Sequence, residues 1–502
     1  MPTSFEYEFK TPLYKGKVSF PTGVYINGQF RDGSDGTTID VFNPSTGQVL
    51  TKISEATAKD VDLAVEAATK AFESSWGLKA PGAQRSILMH KLANLMEQNL
   101  EELAALEAID NGKTFNWAKN ADVAGAIDCI RYYAGWADKI TGQVIETTEA
   151  KLTYSRHEPI GVVGQIIPWN FPLLMLSWKI GPALATGNAI VMKPSELTPL
   201  TALRMCSLFT EAGFPPGVFN LVTGYGHTVG NAITVHEGIE KVAFTGSTLV
   251  GRKVMEAAAK SNLKNVTLEL GGKSPNIIFD DADIEKAVNW AAFGVFWNHG
   301  QTCCAGTRVF VQEGIYDKFL AAFTEKIKSI NVGDPFGEST WHGPQVSQGQ
   351  YERIMGYIKS GKEEGAKVHV GGERHGTEGY FVQPTIFTET KPNMKIVQEE
   401  IFGPVGVLIK FKDEEDVIRQ ANDTVYGLAA AVFTENLNRA IETAHKLKAG
   451  TAWINCVNQL HNNVPFGGFK QSGIGRELGE YAIHNYTNVK AVHVNLRVPM
   501  NI

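Results

Sequence analysis

From Pro159 onward the sequence alternates short apolar runs with helical stretches, and this rhythm limits the possible folds more than any other feature. Residues 161–167, 189–192, 218–221 and 242–244 read as strands, with helical segments such as 200–212 between them. Strands that alternate with helices imply a doubly wound parallel sheet. A second set follows Gly272, over residues 274–279, 307–311, 406–411, 429–433 and 450–454. Two α/β domains are the simplest account, and 502 residues exceed what one hydrophobic core normally supports.

The segments around these sets have their own patterns. Apolar residues recur at helical spacing over 61–72, 87–96 and 103–109, and Asp110-Asn111-Gly112-Lys113 is a strong turn signal. Residues 151–157 and 489–496 alternate like strands outside the parallel rhythm and suggest an arm. Residues 173–192 are apolar enough to suggest a membrane span, but Lys179, Pro182 and Asn188 interrupt them; a buried helix followed by a strand is expected.

A hydrophobic share of 43% with 20% charged residues describes a soluble globular protein. A net charge of −6 and the lack of any basic block exclude nucleic acid and membrane as expected partners. Five cysteines without framework spacing favour free thiols and a reducing compartment, and no metal-ligand spacing occurs, so no metal is expected. Residues 1–21 lack the apolar core of a signal peptide and the Arg-rich character of a presequence, and residues 498–502 are not a peroxisomal tripeptide. A cytoplasmic location is expected.

Two short stretches carry the chemistry. Leu268-Glu269-Leu270-Gly271-Gly272-Lys273 and Asn298-His299-Gly300-Gln301-Thr302-Cys303-Cys304 place a carboxylate and a thiol beside glycines. A thiol can attack an electrophilic carbon, and a carboxylate can activate the water that releases the product. Taken singly, such a Cys is usually a small buried hydrophobe and such a Glu a turn residue. Chemistry alone does not choose between Cys303 and Cys304.

Together the two stretches resemble the aldehyde dehydrogenase family, and the resemblance runs along essentially the whole chain, closest to fungal and animal cytosolic-type members. It implies that Cys303, the first Cys of Cys303-Cys304-Ala305-Gly306, is the nucleophile and Glu269 the general base. Asn170, in Pro168-Trp169-Asn170-Phe171-Pro172, matches the oxyanion-hole amide, and Lys179 a supporting lysine. The implied architecture is a Rossmann-like cofactor domain (residues 1–140 and 160–270), an α/β catalytic domain (271–480) and a β-arm for oligomerisation (141–159 and 481–502). An arm with an unsatisfied edge argues for a homo-oligomer, and a tetramer is expected.

Two glycine clusters compete for a nucleotide phosphate. Gly224-Tyr225-Gly226-His227-Thr228-Val229-Gly230 resembles a dinucleotide fingerprint with its last glycine one residue late, whereas Gly246-Ser247-Thr248-Leu249-Val250-Gly251 follows a strand and opens a helix. The resemblance identifies Phe244-Thr245-Gly246-Ser247 as the phosphate turn and Lys193-Pro194-Ser195-Glu196 as the ribose segment. It places Glu400 on the nicotinamide ribose and Phe402 against the ring, and adds Ile166, Pro168, Trp169, Gly226, Gly230, Leu270 and Gly271 to the cofactor surface. A carboxylate at Glu196 accepts ribose hydroxyls and repels a 2′-phosphate, which favours NAD while leaving NADP possible.

Phe171, Trp178, Phe296, Trp297 and Phe466 are expected to wall the substrate pocket, with the loop 458–464. An aromatic tunnel suits small uncharged aliphatic or aromatic aldehydes such as acetaldehyde, and no adjoining Arg or Lys cluster favours acidic semialdehydes. Glu269 stands against a relative that hands its thioester to coenzyme A. The joint presence of nucleophile, base and amide stands against a non-catalytic binding protein.

Overall fold

A computed structural model describes residues 3–499; residues 1–2 and 500–502, the latter ending the segment expected as an arm, lie outside the described residues. The strand–helix rhythm folds into two mixed sheets. In the first, the strand order is Gly473–Ile474, Asn265–Glu269, Lys241–Thr245, Val162–Ile166, Ala189–Lys193, Phe219–Leu221, Val24–Ile26 and Gln29–Arg31. The five strands from Asn265–Glu269 to Phe219–Leu221 are parallel, and the outer ones antiparallel. Every residue of Val162–Ile166, Ala189–Lys193 and Lys241–Thr245 is buried, as strands covered by helices on both faces require.

The second sheet runs Lys367–Val370, Thr385–Thr388, Val405–Phe411, Arg308–Gln312, Pro275–Ile278, Ala429–Phe433 and Thr451–Ile454. All its pairings are parallel except that of Lys367–Val370 with Thr385–Thr388. The chain passes from the first sheet to the second through Leu270-Gly271-Gly272-Lys273-Ser274, which links Asn265–Glu269 directly to Pro275–Ile278, and returns to the first sheet between Ile454 and Gly473. Arg308 fastens this passage. Its fully buried guanidinium donates to the carbonyls of Lys273 at 2.9 Å, Gln420 at 3.2 Å and Ala421 at 2.8 Å.

The stretch 173–192 is a helix, Pro172–Thr186, followed by the strand Ala189–Lys193. No helix among the described residues is long and apolar enough to cross a membrane. The alternating segments form a separate sheet in which Lys151–Pro159 pairs antiparallel with both Thr487–Asn495 and Val144–Ile145.

Several strands lie where the strand–helix rhythm gives no sign of them. The first 56 residues contribute six, beginning with the hairpin of Ser4–Lys10 on Lys15–Pro21, whose Phe5, Phe9, Val18 and Phe20 are buried. Asn265–Glu269, Thr385–Thr388 and Lys367–Val370 are also additional; the first and last carry exposed polar residues that break up an apolar run.

Replacing Arg308 by Met should leave the Lys273 and Ala421 carbonyls without donors, while Gln420 keeps the Asp423 N–H, and cost about 2 kcal/mol or more, at about 1–3 kcal/mol for each buried group left unpaired. Loss of far-UV dichroism at lower temperature than in the parent protein is the expected reading.

Candidate active site

The first sheet reverses its order at Val162–Ile166. The chain moves outward through Ala189–Lys193 on one side and returns to Lys241–Thr245 on the other. Open parallel sheets bind ligands at the carboxyl ends of the strands beside such a reversal. Here those ends carry Pro168, Trp169, Asn170 and Phe171, and Gly246 and Ser247. They line one cavity of about 250 Å³ together with Glu269, Leu270, Gly271, Cys303, Cys304, Glu400 and Phe402. Trp178, Trp297, Phe466, Leu174, Met175 and Leu460 add its apolar walls.

Two close approaches hold the reactive residues together. A Cβ at Gly272 would run into the Cys303 backbone carbonyl, so only glycine fits there, and one at Gly271 would displace the Glu400 carboxylate. The turn before the thiol is wound tightly: Asn298 and His299 have φ of 49° and 61°, and Gly300 of 71°. Asn298 Nδ2 donates to the Asn170 carbonyl at 3.0 Å, and Asn170 Nδ2 donates to the Gln301 carbonyl at 2.9 Å. These bonds lock the Asn170 loop to the Cys303 loop across the two sheets.

The two thiols differ. Cys304 is buried, and its Sγ donates to Asn458 Oδ1 at 3.3 Å, whereas Cys303 is partly exposed. The adjoining Cys304 thiol, burial and the negative charge of Glu269 hold the Cys303 thiol well above the ordinary thiol range. Glu269 is 3% exposed, and neither carboxyl oxygen has a hydrogen-bond partner. Burial raises its pKa to about 8, against a partial opposing pull from Lys179. Burial likewise lifts Glu400 to about 7, although Gly272 N–H donates to it at 2.9 Å. The two carboxyls are thus in reach of gain or loss of one proton near neutral pH.

Lys179 is fully buried behind the cavity, not on its wall. Its Nζ donates to Thr245 Oγ1 at 2.7 Å and pairs with Glu477. Phe244 is buried with its ring under Gly246. Phe296 requires a correction: it is fully buried in the core near Phe323 and does not line the cavity. The helix Ile284–Phe296 turns that side chain to the core, while the next residue, Trp297, faces Phe171 at 5.2 Å between ring centroids.

A second group lies beside the cavity. Ile166, Lys193 and Gly230 meet: a Cβ at Gly230 would stand 3.7 Å from Lys193 Cδ and 4.0 Å from Ile166 Cδ1. Lys193 Nζ lies 3.3 Å from Glu196 Oε2, and burial lowers the lysine pKa. Ser195 Oγ accepts from Leu197 N–H at 3.2 Å, and Gly226 has open space at its Cβ position. Ser247 caps the helix Thr248–Lys260 by accepting from Val250 N–H, leaving a helix start beside the cavity for an anion. A helix start, a buried lysine paired with a partly exposed carboxylate, and the Glu400 carboxylate fit a dinucleotide.

Sequence reading missed Gln350 and Arg353. Gln350 Nε2 donates to the Phe402 carbonyl at 2.7 Å and Arg353 Nη2 to the Glu400 carbonyl at 3.0 Å, which holds Phe402 at a φ of 60°. Both lie on one face of the helix Gln348–Glu363, with no local pattern that marks them.

A sequence model described as "Aldehyde dehydrogenase family" matches residues 30–492. The chain is 71% identical to an aldehyde dehydrogenase of Agaricus bisporus over 500 residues, with all of both chains covered. An aldehyde dehydrogenase of Emericella nidulans is 60% identical, with 97% of each chain covered. Among solved structures, the NAD+ complex of the Bacillus cereus aldehyde dehydrogenase superposes with a TM-score of 0.94 at 52% identity, covering 95% of this chain and 97% of that one.

Because the buried Glu269 has a raised pKa, wild-type stability should fall as pH rises from about 4.5 to about 8 and then level off. The Glu269→Gln protein should lack this fall. Its melting temperature should therefore draw ahead of the wild type between pH 5 and 8, as differential scanning fluorimetry across that range would register.

Proposed function

We propose that this chain, which belongs to the aldehyde dehydrogenase family and is an NAD(P)-dependent enzyme, oxidises aldehydes through a thioester on Cys303. The observation that carries this reading is the shared cavity, in which a partly exposed thiol and an unpartnered carboxyl face the same space.

Cys303 Sγ attacks the aldehyde carbon, its proton passing to solvent under the positive charge of a bound cofactor or to the Glu269 carboxylate. A base with a pKa of about 8 takes and returns a proton near neutrality. The C=O electron pair moves onto oxygen, and Asn170 Nδ2 with the Cys303 backbone N–H receives the oxyanion of the thiohemiacetal. NAD(P), when bound, supplies the hydride acceptor that converts this adduct to a thioester. Glu269, its first proton released to solvent, then takes a proton from water, the hydroxyl adds to the acyl carbon, and the C–S bond breaks as the departing thiolate recovers a proton, giving the carboxylic acid and free Cys303.

The helix start at Gly246 and Ser247 would hold the dinucleotide phosphates, Lys193 and Glu196 the adenosine ribose, and Glu400 with Phe402 the nicotinamide half. Glu196 favours NAD over NADP. The walls made by Phe171, Trp178, Trp297 and Phe466 carry no charge, and Arg353 joins the cavity at Gln350, Glu400 and Phe402. Small aliphatic or aromatic aldehydes such as acetaldehyde are the substrates this supports.

Apolar side chains on the arm stand uncovered, Val144 at 79% exposure and Val489 at 66%, which supports an oligomer, a tetramer, assembled through it. All five cysteines are free, in keeping with the cytoplasm.

NADH absorbance with a panel of aldehydes tests the reading. Acetaldehyde or benzaldehyde should turn over at least about tenfold more efficiently than an acidic semialdehyde, a difference of about 1.4 kcal/mol. Cys303→Ala should abolish turnover, and Glu196→Gln should raise the NADP-to-NAD ratio. Unimpaired turnover by Cys303→Ala would sink the mechanism. For the arm, Val489→Lys should shift the mass seen by light scattering to smaller species, and an unchanged mass would remove the arm from the interface.

A further inference from the structure

The turn Asp110-Asn111-Gly112-Lys113 ends the helix Leu100–Asn111, with Gly112 at a φ of 87°. The mechanism above makes no use of it. Yet the turn grips the loop that presents Asn170. Lys113 is 1% exposed, and its Nζ has three neighbours: it pairs with Asp122, donates to the Asn170 carbonyl at 3.0 Å, and lies 4.0 Å from Glu107 Oε1. The same Nζ sits 4.3 Å from the centroid of the Phe171 ring. Asn111 Nδ2 donates to the Trp169 carbonyl at 2.7 Å. Glu107 Oε1 accepts from Leu173 N–H at 3.2 Å, at the start of the helix Pro172–Thr186.

We propose that Lys113 is a positioning residue for the reaction: its ammonium, anchored by Asp122, fixes the Asn170 carbonyl and thereby aims the Asn170 amide at the developing oxyanion. The proposal rests on the reading of Asn170 as the oxyanion donor. Lys113 and Asn298 hold the Asn170 carbonyl, and the Asn170 side chain bonds the Gln301 carbonyl beside the nucleophile. Holding the carbonyl fixes the Asn170–Phe171 peptide plane, and with it the direction of the Asn170 side chain. A buried ammonium has three N–H groups, and three buried acceptors stand around this one. The charge is therefore neutralised inside the protein, and its strong hydrogen bond is spent on one backbone oxygen. A displacement of about 1 Å at a reacting group can cost about a hundredfold in rate.

The test compares full-length Lys113→Met and the double variant Lys113→Met/Asp122→Asn, which removes both charges. Each is made in the wild type and on an Asn170→Ala background, with kcat, the KM for NAD and the melting temperature measured. Asn170→Ala should lower kcat by about a hundredfold or more, the usual cost of removing one oxyanion donor. The Lys113 variants should lower kcat by about tenfold to a hundredfold, with the KM for NAD unchanged. On the Asn170→Ala background the further loss should vanish, because no amide remains to misplace.

A Lys113 loss that persists undiminished on that background would overturn the proposal, as would wild-type kcat in the double variant. A double variant that fails to fold would assign Lys113 to the scaffold alone and also overturn it. Wild-type kcat in Asn170→Ala would instead sink the oxyanion reading itself, a result distinct from either.

Discussion

The site depends on how closely one strip of chain, Leu270 to Ser274, runs between its neighbours as it passes from the first sheet to the second. Gly272 has no room for a Cβ because the Cys303 backbone carbonyl occupies that space, and a Cβ at Gly271 would displace the Glu400 carboxylate. The passage therefore sets the distance between a strand end bearing Glu269 and a loop bearing Cys303. A side chain at Gly272 would push the Cys303 loop away from the strand end bearing Glu269. Hydrogen bonds between Asn170 and the Asn298–Gln301 turn close the same joint from the other side.

Burial then sets the chemistry. Glu269 and Glu400 lie in an apolar crevice, and desolvation raises both pKa values, to about 8 and about 7. For Glu269 the structure supplies no hydrogen bond to offset that cost. Such a group is poor at holding the fold together and well suited to exchanging a proton, the usual compromise at a functional site. Lys179 stands near enough to moderate its pKa, yet its own ammonium is committed to Thr245 and Glu477.

The parallel strands were legible because fully buried strands read as continuous apolar runs between helices. The hairpin Ser4–Lys10 with Lys15–Pro21 was legible in principle, since Phe5, Tyr7 and Phe9 alternate with charged residues, but its pattern lies outside the strand–helix rhythm. The motif residues Glu269, Cys303 and Asn170 were found through their local sequence, and they meet in one cavity. Gln350 and Arg353 were not found, because their function is to bond carbonyls some fifty residues away, which leaves no trace in neighbouring letters. Phe296 was misplaced for a related reason: adjacent residues at a helix end point to opposite sides, and only packing decides which faces the cavity. Lys113 was legible as a turn and not as a grip on Asn170, since the contact spans 57 residues.

The most direct test of the account is peptide mass spectrometry of the Glu269→Gln protein, quenched in acid after mixing with NAD and an aliphatic aldehyde. The account predicts that the acyl group is retained as a thioester on the peptide holding residues 303 and 304, with fragmentation assigning it to Cys303. An acyl group on Cys304, or an unmodified peptide from protein that has formed NADH, would contradict it.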